Sequence, residues 1–363
     1  MAIKYKWLAG CLRELITDSI GKGIDRLPTE QELCRRYQVS RQTVRQSLSL
    51  LEQEGLITKK HGSGSYLTGR SSDSGKNVIG ILISDDSDYL YPSLLHDLRT
   101  TLAQNGFSSE VFVTGNRICR EREILEELFR HPLRGVIAEG CKSALPNPNQ
   151  ELYHRLIKKG CTVLFLHGAF PSLHGALCLK DDNLAGSRLL VSHLRSQGHT
   201  AIGGIFRSDS LSGTERCQGF LEAMYAAKLP VPDERILWYQ TADLDRMLRM
   251  KDARFLREGI SASLSSCTAV LCQDDRIAYY LIQELQEAGC TLPDDLAVTA
   301  FHNTYFSTSR ILPVTALAHE PHETGQRAAQ MLIAKLKGLP ADPQEIPWKL
   351  VVRESSRSRN AQL

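Results

Sequence analysis

No run of about 20 apolar residues occurs anywhere in the chain, so a helical membrane span is excluded. The opening segment, MAIKYKWLAGCLRELITDSIGKG, has a charged helical pattern and no apolar run ending in a small-residue cleavage site. It does not read as a secretory signal. A C-x-x-C pair is absent too. The ten cysteines are scattered through apolar or amphipathic segments, which argues against a disulfide framework and against zinc. Reduced, mostly buried thiols in a cytoplasmic protein are the expectation. Catalytic signatures are also missing. There is no G-x-x-x-x-G-K-[ST] phosphate loop, and Gly62-Ser63-Gly64-Ser65 reads as a hairpin tip, not a nucleophile elbow. In His319-Glu320-Pro321-His322-Glu323 the histidines are three apart around a proline, whereas a zinc-protease helix needs them four apart on one face. Neither an enzyme, a metal nor a cofactor is indicated.

What remains is the composition of a folded globular protein, 42% hydrophobic and 23% charged over 363 residues, enough for two or three domains. The net charge of +3 hides an asymmetry. Residues 1–70 hold 12 Lys/Arg against 7 Asp/Glu, while the rest holds 32 against 34. A basic head on a near-neutral body places any polyanion binding at the N-terminus.

That head has a recognisable plan. A helix over 5–20 puts Trp7, Leu8, Leu12, Leu15 and Ile16 on one face. Thr29, with Glu32 three residues later, forms a capping box for a helix ending near Tyr37. After a turn at Gln38-Val39, Ser40 caps a further helix that stops before Gly55. Its early turns carry Arg41, Gln42, Thr43, Arg45 and Gln46, and Val44, Leu48 and Leu51 occupy the other face. Outward cations at the start of a second helix suit reading of the major groove. The two short runs at 56–60 and 65–68 flank His61-Gly62-Ser63-Gly64 and predict a hairpin whose glycines allow close approach to a sugar-phosphate backbone. Lys59, Lys60 and His61 supply donors beside it.

On RLPTEQEL, YQVSRQTVRQSLSLLEQEGLI and HGSGSYL, residues 1–70 resemble the winged helix-turn-helix domain of the GntR family of bacterial transcription regulators. The resemblance implies DNA contacts by Gln31, Arg41, Thr43, Arg45, His61 and Gly62. Position 31 is often arginine in that family, so glutamine there removes a charge.

Residues 71–77 lie in a polar, small-residue linker. Beyond it, apolar runs such as Val78-Ile79-Gly80-Ile81-Leu82-Ile83 alternate with helical segments at about 25 residues per unit. The alternation predicts an α/β body with doubly wound parallel sheets, in two consecutive sets that form two lobes around a cleft. The expected division gives 78–180 and 304–337 to the first lobe, and 181–303 and 338–355 to the second. The body resembles the sugar-sensing domain of the lactose-repressor family, built like type I periplasmic binding proteins. KDDNLAGSRLLVSHLRSQGHTAIGGIF carries this most strongly, with TERCQGFLEAM and CQDDRIAYYLIQELQEAGCTLPDDLAVTAF in support. A GntR-type head on such a body is similar to the arabinose-repressor subgroup, as YPSLLHDL and EGCKSAL also indicate.

A sugar offers hydroxyls that both donate and accept, so its receptor needs carboxylates, amides and guanidinium groups near aromatic faces. Loops after predicted strands supply Tyr91, Glu139, Lys142, Asp182, Phe206, Arg207, Asp274, Asp275, His302 and Asn303. The resemblance adds Arg216, at a position where the family places arginine on sugar hydroxyls. Two have plain alternatives: Asp182 as a helix N-cap, and Lys142 as half of a surface ion pair with Glu139. Asp274-Asp275 and His302-Asn303 depart from the family's usual Asn-Asp and Asp-Asp, which leaves the sugar open. The function expected is a homodimeric repressor of carbohydrate-utilisation genes, bound to operator DNA and released by a monosaccharide such as L-arabinose. A solute-binding protein and a GntR-headed aminotransferase-like enzyme are the disfavoured alternatives.

Overall fold

The computed structural model describes residues 2–21, 27–53, 56–60, 64–67, 77–85, 90–131, 133–170, 173 and 176–357. The chain divides into two units, Met1–Asn77 and Val78–Leu363. Among the described residues no helix is long and apolar enough to cross a membrane.

The first unit holds α1 (Ala2–Gly21), α2 (Glu30–Tyr37), α3 (Arg41–Gln53) and the antiparallel pair β1 (Ile57–Lys60) and β2 (Gly64–Leu67). The capping box at Thr29 forms: the Glu32 amide donates to Thr29 Oγ1 at 3.3 Å, and the Thr29 amide donates to Glu32 Oε2 at 2.7 Å. Gln38, in the left-handed region at φ 51°, ends α2. Ser40 Oγ then accepts from the Thr43 amide at 3.2 Å and starts α3. Leu8, Leu12, Ile16, Leu33, Val44, Leu48, Leu51 and Ile57 form one core. Truncating any of the leucines here removes about 2–5 kcal/mol. Trp7, expected on the buried face, is 53% exposed and packs edge-on against Tyr37.

Among the described residues the second unit forms two six-stranded sheets. The first is built from β3 (Val78–Ile83), β4 (Ser108–Val113), β5 (Gly135–Glu139), β6 (Thr162–Leu166), β7 (Leu177–Asp181) and β13 (Gln344–Ile346). Its order is β13-β7-β6-β5-β3-β4, all parallel, with α4 (Tyr91–Gln104), α5 (Ile118–Arg130), α6 (Gln150–Lys158) and α12 (Glu323–Leu336) covering it. The second contains β8 (Ile202–Arg207), β9 (Ile236–Tyr239), β10 (Ala269–Cys272), β11 (Ala297–Ala300), β12 (Thr315–Ala318) and β14 (Lys349–Val351). Its order is β14-β12-β11-β10-β8-β9, parallel except where β14 meets β12. Here α7 (Asn183–Ser196), α8 (Leu211–Ala226), α9 (Thr241–Met250), α10 (Arg254–Gly259) and α11 (Asp275–Glu287) supply the layers. Each sheet buries both faces in separate clusters, which is why a central strand such as VIGILI is apolar throughout.

The expected lobe boundaries need correction. Thr315–Ala318 belongs to the second sheet, not the first, and Gln344–Ile346 to the first sheet, not the second. The chain crosses between lobes after β7, after β12 and after β13, and the last strands are only three or four residues long. Such short strands lack the length over which a hydrophobic period shows. All three crossovers lie at the same edge of the two sheets.

Candidate functional sites

On the first unit, α3 presents Arg41, Gln42 and Arg45 to solvent and has no acidic residue in its first turn. Gln31 on α2 is exposed as well. Arg45 Nε donates to Glu30 Oε2 at 3.0 Å, both side chains being solvent-accessible. Thr43 is half-buried, its hydroxyl 2.9 Å from that of Ser40, so it helps to start the helix. Lys59 and Lys60 lie on β1 with side chains outside the described residues, as are His61 and Gly62 altogether.

In the second unit the carboxyl ends of both sheets face a cleft of about 580 Å³. Its centre is Arg216, 2% exposed. Gly213 makes this placement possible, because a Cβ there would stand 2.0 Å from the Arg207 carbonyl oxygen. The guanidinium donates to Asn183 Oδ1 at 2.8 Å and to the Gln273 carbonyl at 2.5 Å. It also lies 3.2 Å from His302 Nε2, 3.7 Å from Asp181 Oδ2 and 4.1 Å above the Phe301 ring. Asp181 in turn accepts from His319 Nε2 at 2.9 Å and faces His167 Nδ1 at 3.6 Å. Trp348 stacks on His319 with 3.6 Å between ring centroids. From the first lobe, Tyr91 donates to Glu139, whose Oε2 also accepts the Ser84 amide at 3.0 Å.

The electrostatics sort these groups. Burial works against the charge on Asp181, but hydrogen bonds and charge from His167 and His319 hold its carboxyl well below the usual range. Burial also opposes a charged His167, yet the Asp181 bond and charge prevail and raise it. His302 is pushed well down by burial and by Arg216, and its Nε2 faces a permanent donor, so it stands neutral as an acceptor. His167, His302 and His322, all cleft-lining, occupy left-handed backbone at φ 60°, 65° and 66°. Held conformations of this kind are a feature of ligand sites. The outcome is a pocket of fixed donors, fixed acceptors and an aromatic wall.

Residues 4–67 match the profile of bacterial regulatory proteins of the gntR family, and residues 191–356 match a periplasmic binding protein-like domain. An arabinose metabolism transcriptional repressor from Geobacillus stearothermophilus is 32% identical over 360 residues, covering 98% of each chain. The chain belongs to the arabinose-repressor subgroup of the GntR family. It is a DNA-binding transcription regulator. A second protein described in the same words, from Halalkalibacterium halodurans, is 27% identical over 98% of this chain and 97% of its own. The fold of the body also resembles a periplasmic binding protein/LacI transcriptional regulator from Alkaliphilus metalliredigens, solved with D-xylulofuranose. The TM-score is 0.64 at 18% identity, covering 77% of this chain and 98% of that one.

In this regulator the cleft brings together Tyr91, Glu139, Arg207, Arg216, Asp274, His302 and Asn303 of the expected ligand residues. Four others stand elsewhere. Asp182 caps α7, accepting from the Ala185 amide at 2.9 Å, and its neighbour Asp181 lines the cleft instead. Phe206 is a core residue packed on Phe220 and Trp238, because strand alternation turns it away from the side taken by Arg207. Asp275 is fully buried and accepts from Thr304 and Ser307; burial pushes it up to about 6. Lys142 pairs with Asp209 at 3.3 Å rather than with Glu139. Sequence reasoning missed Asp181, His167, Arg276, His319 and Trp348 in the cleft wall. Trp348, at the third crossover, brings an aromatic ring to the cleft wall, while Phe301 lies buried beneath the Arg216 guanidinium.

Proposed function

We propose that this regulator represses carbohydrate-utilisation genes and is released from its operator by a monosaccharide, with L-arabinose the leading candidate. The observation that carries the proposal is the Arg216 cluster: a buried guanidinium already held by an amide, a carbonyl, an imidazole and a carboxylate, with Glu139 and Asp274 on the surrounding walls. Cationic and anionic groups are mixed around one aromatic wall, which suits a neutral polyhydroxylated ligand better than an anion. The names of the two similar repressors support arabinose as the sugar.

On the DNA side, Arg41, Gln42, Thr43 and Arg45 read the major groove with support from Gln31, while Lys59, Lys60, His61 and Gly62 approach the backbone from the wing. A homodimer in the cytoplasm would present two such heads to a two-fold operator. Sugar binding shifts operator affinity by favouring one of two states of the body. Fluorescence anisotropy on an operator selected from random DNA by the purified protein tests this, with L-arabinose titrated against other monosaccharides. Operator affinity that no sugar changes would remove the effector half of the proposal.

A further inference from the structure

The three crossovers join the lobes at one edge of the cleft, where β7, β13, β12 and β14 lie. The opposite edge, at β4 and β9, carries a second kind of junction made of side chains. From the first lobe come Asn116, after β4, and Lys142 and Ser143, after β5; from the second come Asp209, Leu211 and Thr241. Lys142 Nζ reaches Asp209 Oδ2 at 3.3 Å, and Asn116 Nδ2 donates to Thr241 Oγ1 at 2.6 Å. The Leu211 amide donates to Ser143 Oγ at 2.9 Å. Leu211 also meets the loop after β6, nearer the crossovers: a Cβ on Gly168 would stand 2.5 Å from Leu211 Cδ2.

Asp209 and Thr241 tie these bridges to the cleft. The Asp209 side chain, 1% exposed, accepts from Arg207 Nε at 2.9 Å and from the Thr241 hydroxyl at 2.7 Å. Thr241 Oγ1 gives its one proton to Asp209 and accepts from both Asn116 and Arg207, so its hydrogen-bonding capacity is full. Arg207 lines the cleft on its other side. Within the first lobe, the Lys142 amide donates to Asn116 Oδ1 at 2.7 Å, and both residues occupy left-handed backbone, at φ 45° and 52°.

We propose that Asn116, Lys142, Asp209 and Thr241 form a latch that holds the lobes closed at the edge opposite the crossovers, with Arg207 linking it to the bound effector. Rotation about the crossover edge moves the far edge most, so opening breaks the latch bonds first. Their strength therefore enters the open-closed equilibrium directly, although none of the four needs to contact the ligand. Loss of one charge-assisted bridge shifts that equilibrium about tenfold toward open.

The functional half of this rests on the effector proposal above, but its test does not. Hydrogen exchange on the full chain without sugar compares wild type with Lys142→Met, Thr241→Val and Lys142→Arg. The latch requires Lys142→Met and Thr241→Val to exchange faster on the cleft wall away from the bridges, at 273–276 and 302–305. Lys142→Arg keeps the charge and should retain most of the protection. Faster exchange confined to 114–117, 140–145, 207–212 and 239–243, or none at all, overturns the latch. A parallel L-arabinose titration should show about tenfold weaker binding to Lys142→Met. If wild type itself fails to bind L-arabinose, the sugar assignment falls and the exchange result still decides the latch.

Discussion

Two arginines show how differently the halves of this regulator use the same side chain. Arg45 on α3 is exposed and paired with a partly exposed Glu30, an arrangement worth at most about 1 kcal/mol in water. In the proposed operator complex it leaves Glu30 for a phosphate or a guanine edge at little cost. Arg216 is buried beneath a cleft and held by Asn183, Gln273, His302 and Asp181 over an aromatic ring. Its orientation is set by the protein's own groups. A surface that must search many sequences keeps its cations mobile, whereas a pocket that must recognise one small molecule fixes them in advance.

Arg216→Ala should break the buried side of this comparison with the largest effect. Removing the guanidinium leaves Asp181 without one cation and Asn183 and Gln273 without a donor, a loss of about 3–5 kcal/mol. Thermal unfolding should fall accordingly, and the effector response should vanish while operator affinity in the folded protein stays near wild type. Arg45→Ala should do the reverse. Operator binding weakens by about 1–3 kcal/mol, with melting temperature and sugar affinity unchanged. Should either variant abolish both activities in a folded protein, the division of labour fails.

The cleft histidines sharpen the comparison through pH. His167 is raised above 6.5, so its contribution is complete below that value and lost as pH rises through its folded value. His302 is lowered well below 6.5, so the unfolded chain takes up a proton that the folded site refuses, and stability falls as pH drops below 6.5. Together they produce a stability maximum near the ordinary histidine value. His193, pushed down by burial, adds to the acid limb, while Asp275, raised to about 6, works against it below that point. The limbs are therefore read as differences between proteins. Melting curves from about pH 5 to about pH 8 should lose the alkaline limb in His167→Gln and part of the acid limb in His302→Gln. Identical curve shapes in all three proteins would refute these proton assignments.

The head was legible because each of its devices is local. The Thr29–Glu32 box, the Ser40 cap and the apolar face of α3 are read within one or two helical turns, and all three form. The cleft was legible only where one rule applied, that ligands meet the carboxyl ends of parallel strands. His167 directly follows β6 and would have emerged from the same rule that found Tyr91 and Glu139. His319 and Trp348 come from crossovers flanked by strands of three or four residues, too short to show a period. Asp181 and Asp182 were a matter of one position at a strand-to-helix boundary. The period-2 register from Leu177 and Leu179 is the available clue, and the burial of Leu177, Leu179 and Asp181 on one side of β7 bears it out.

That one-residue distinction provides the smallest effect and a clean decision. Asp182→Ala removes the cap bond to the Ala185 amide and should cost about 1 kcal/mol, seen as a small fall in melting temperature. Effector affinity should stay within about twofold, because the lost bond goes to the Ala185 amide and leaves the Asn183–Arg216 and Asp181 contacts in place. Asp182→Asn should recover most of the loss, since an asparagine side chain caps nearly as well. Asp181→Asn, by contrast, removes the charge that faces Arg216, His167 and His319, and should abolish the sugar response. A drop of tenfold or more in sugar affinity for Asp182→Ala, with melting unchanged, would return Asp182 to the ligand and make its cap incidental.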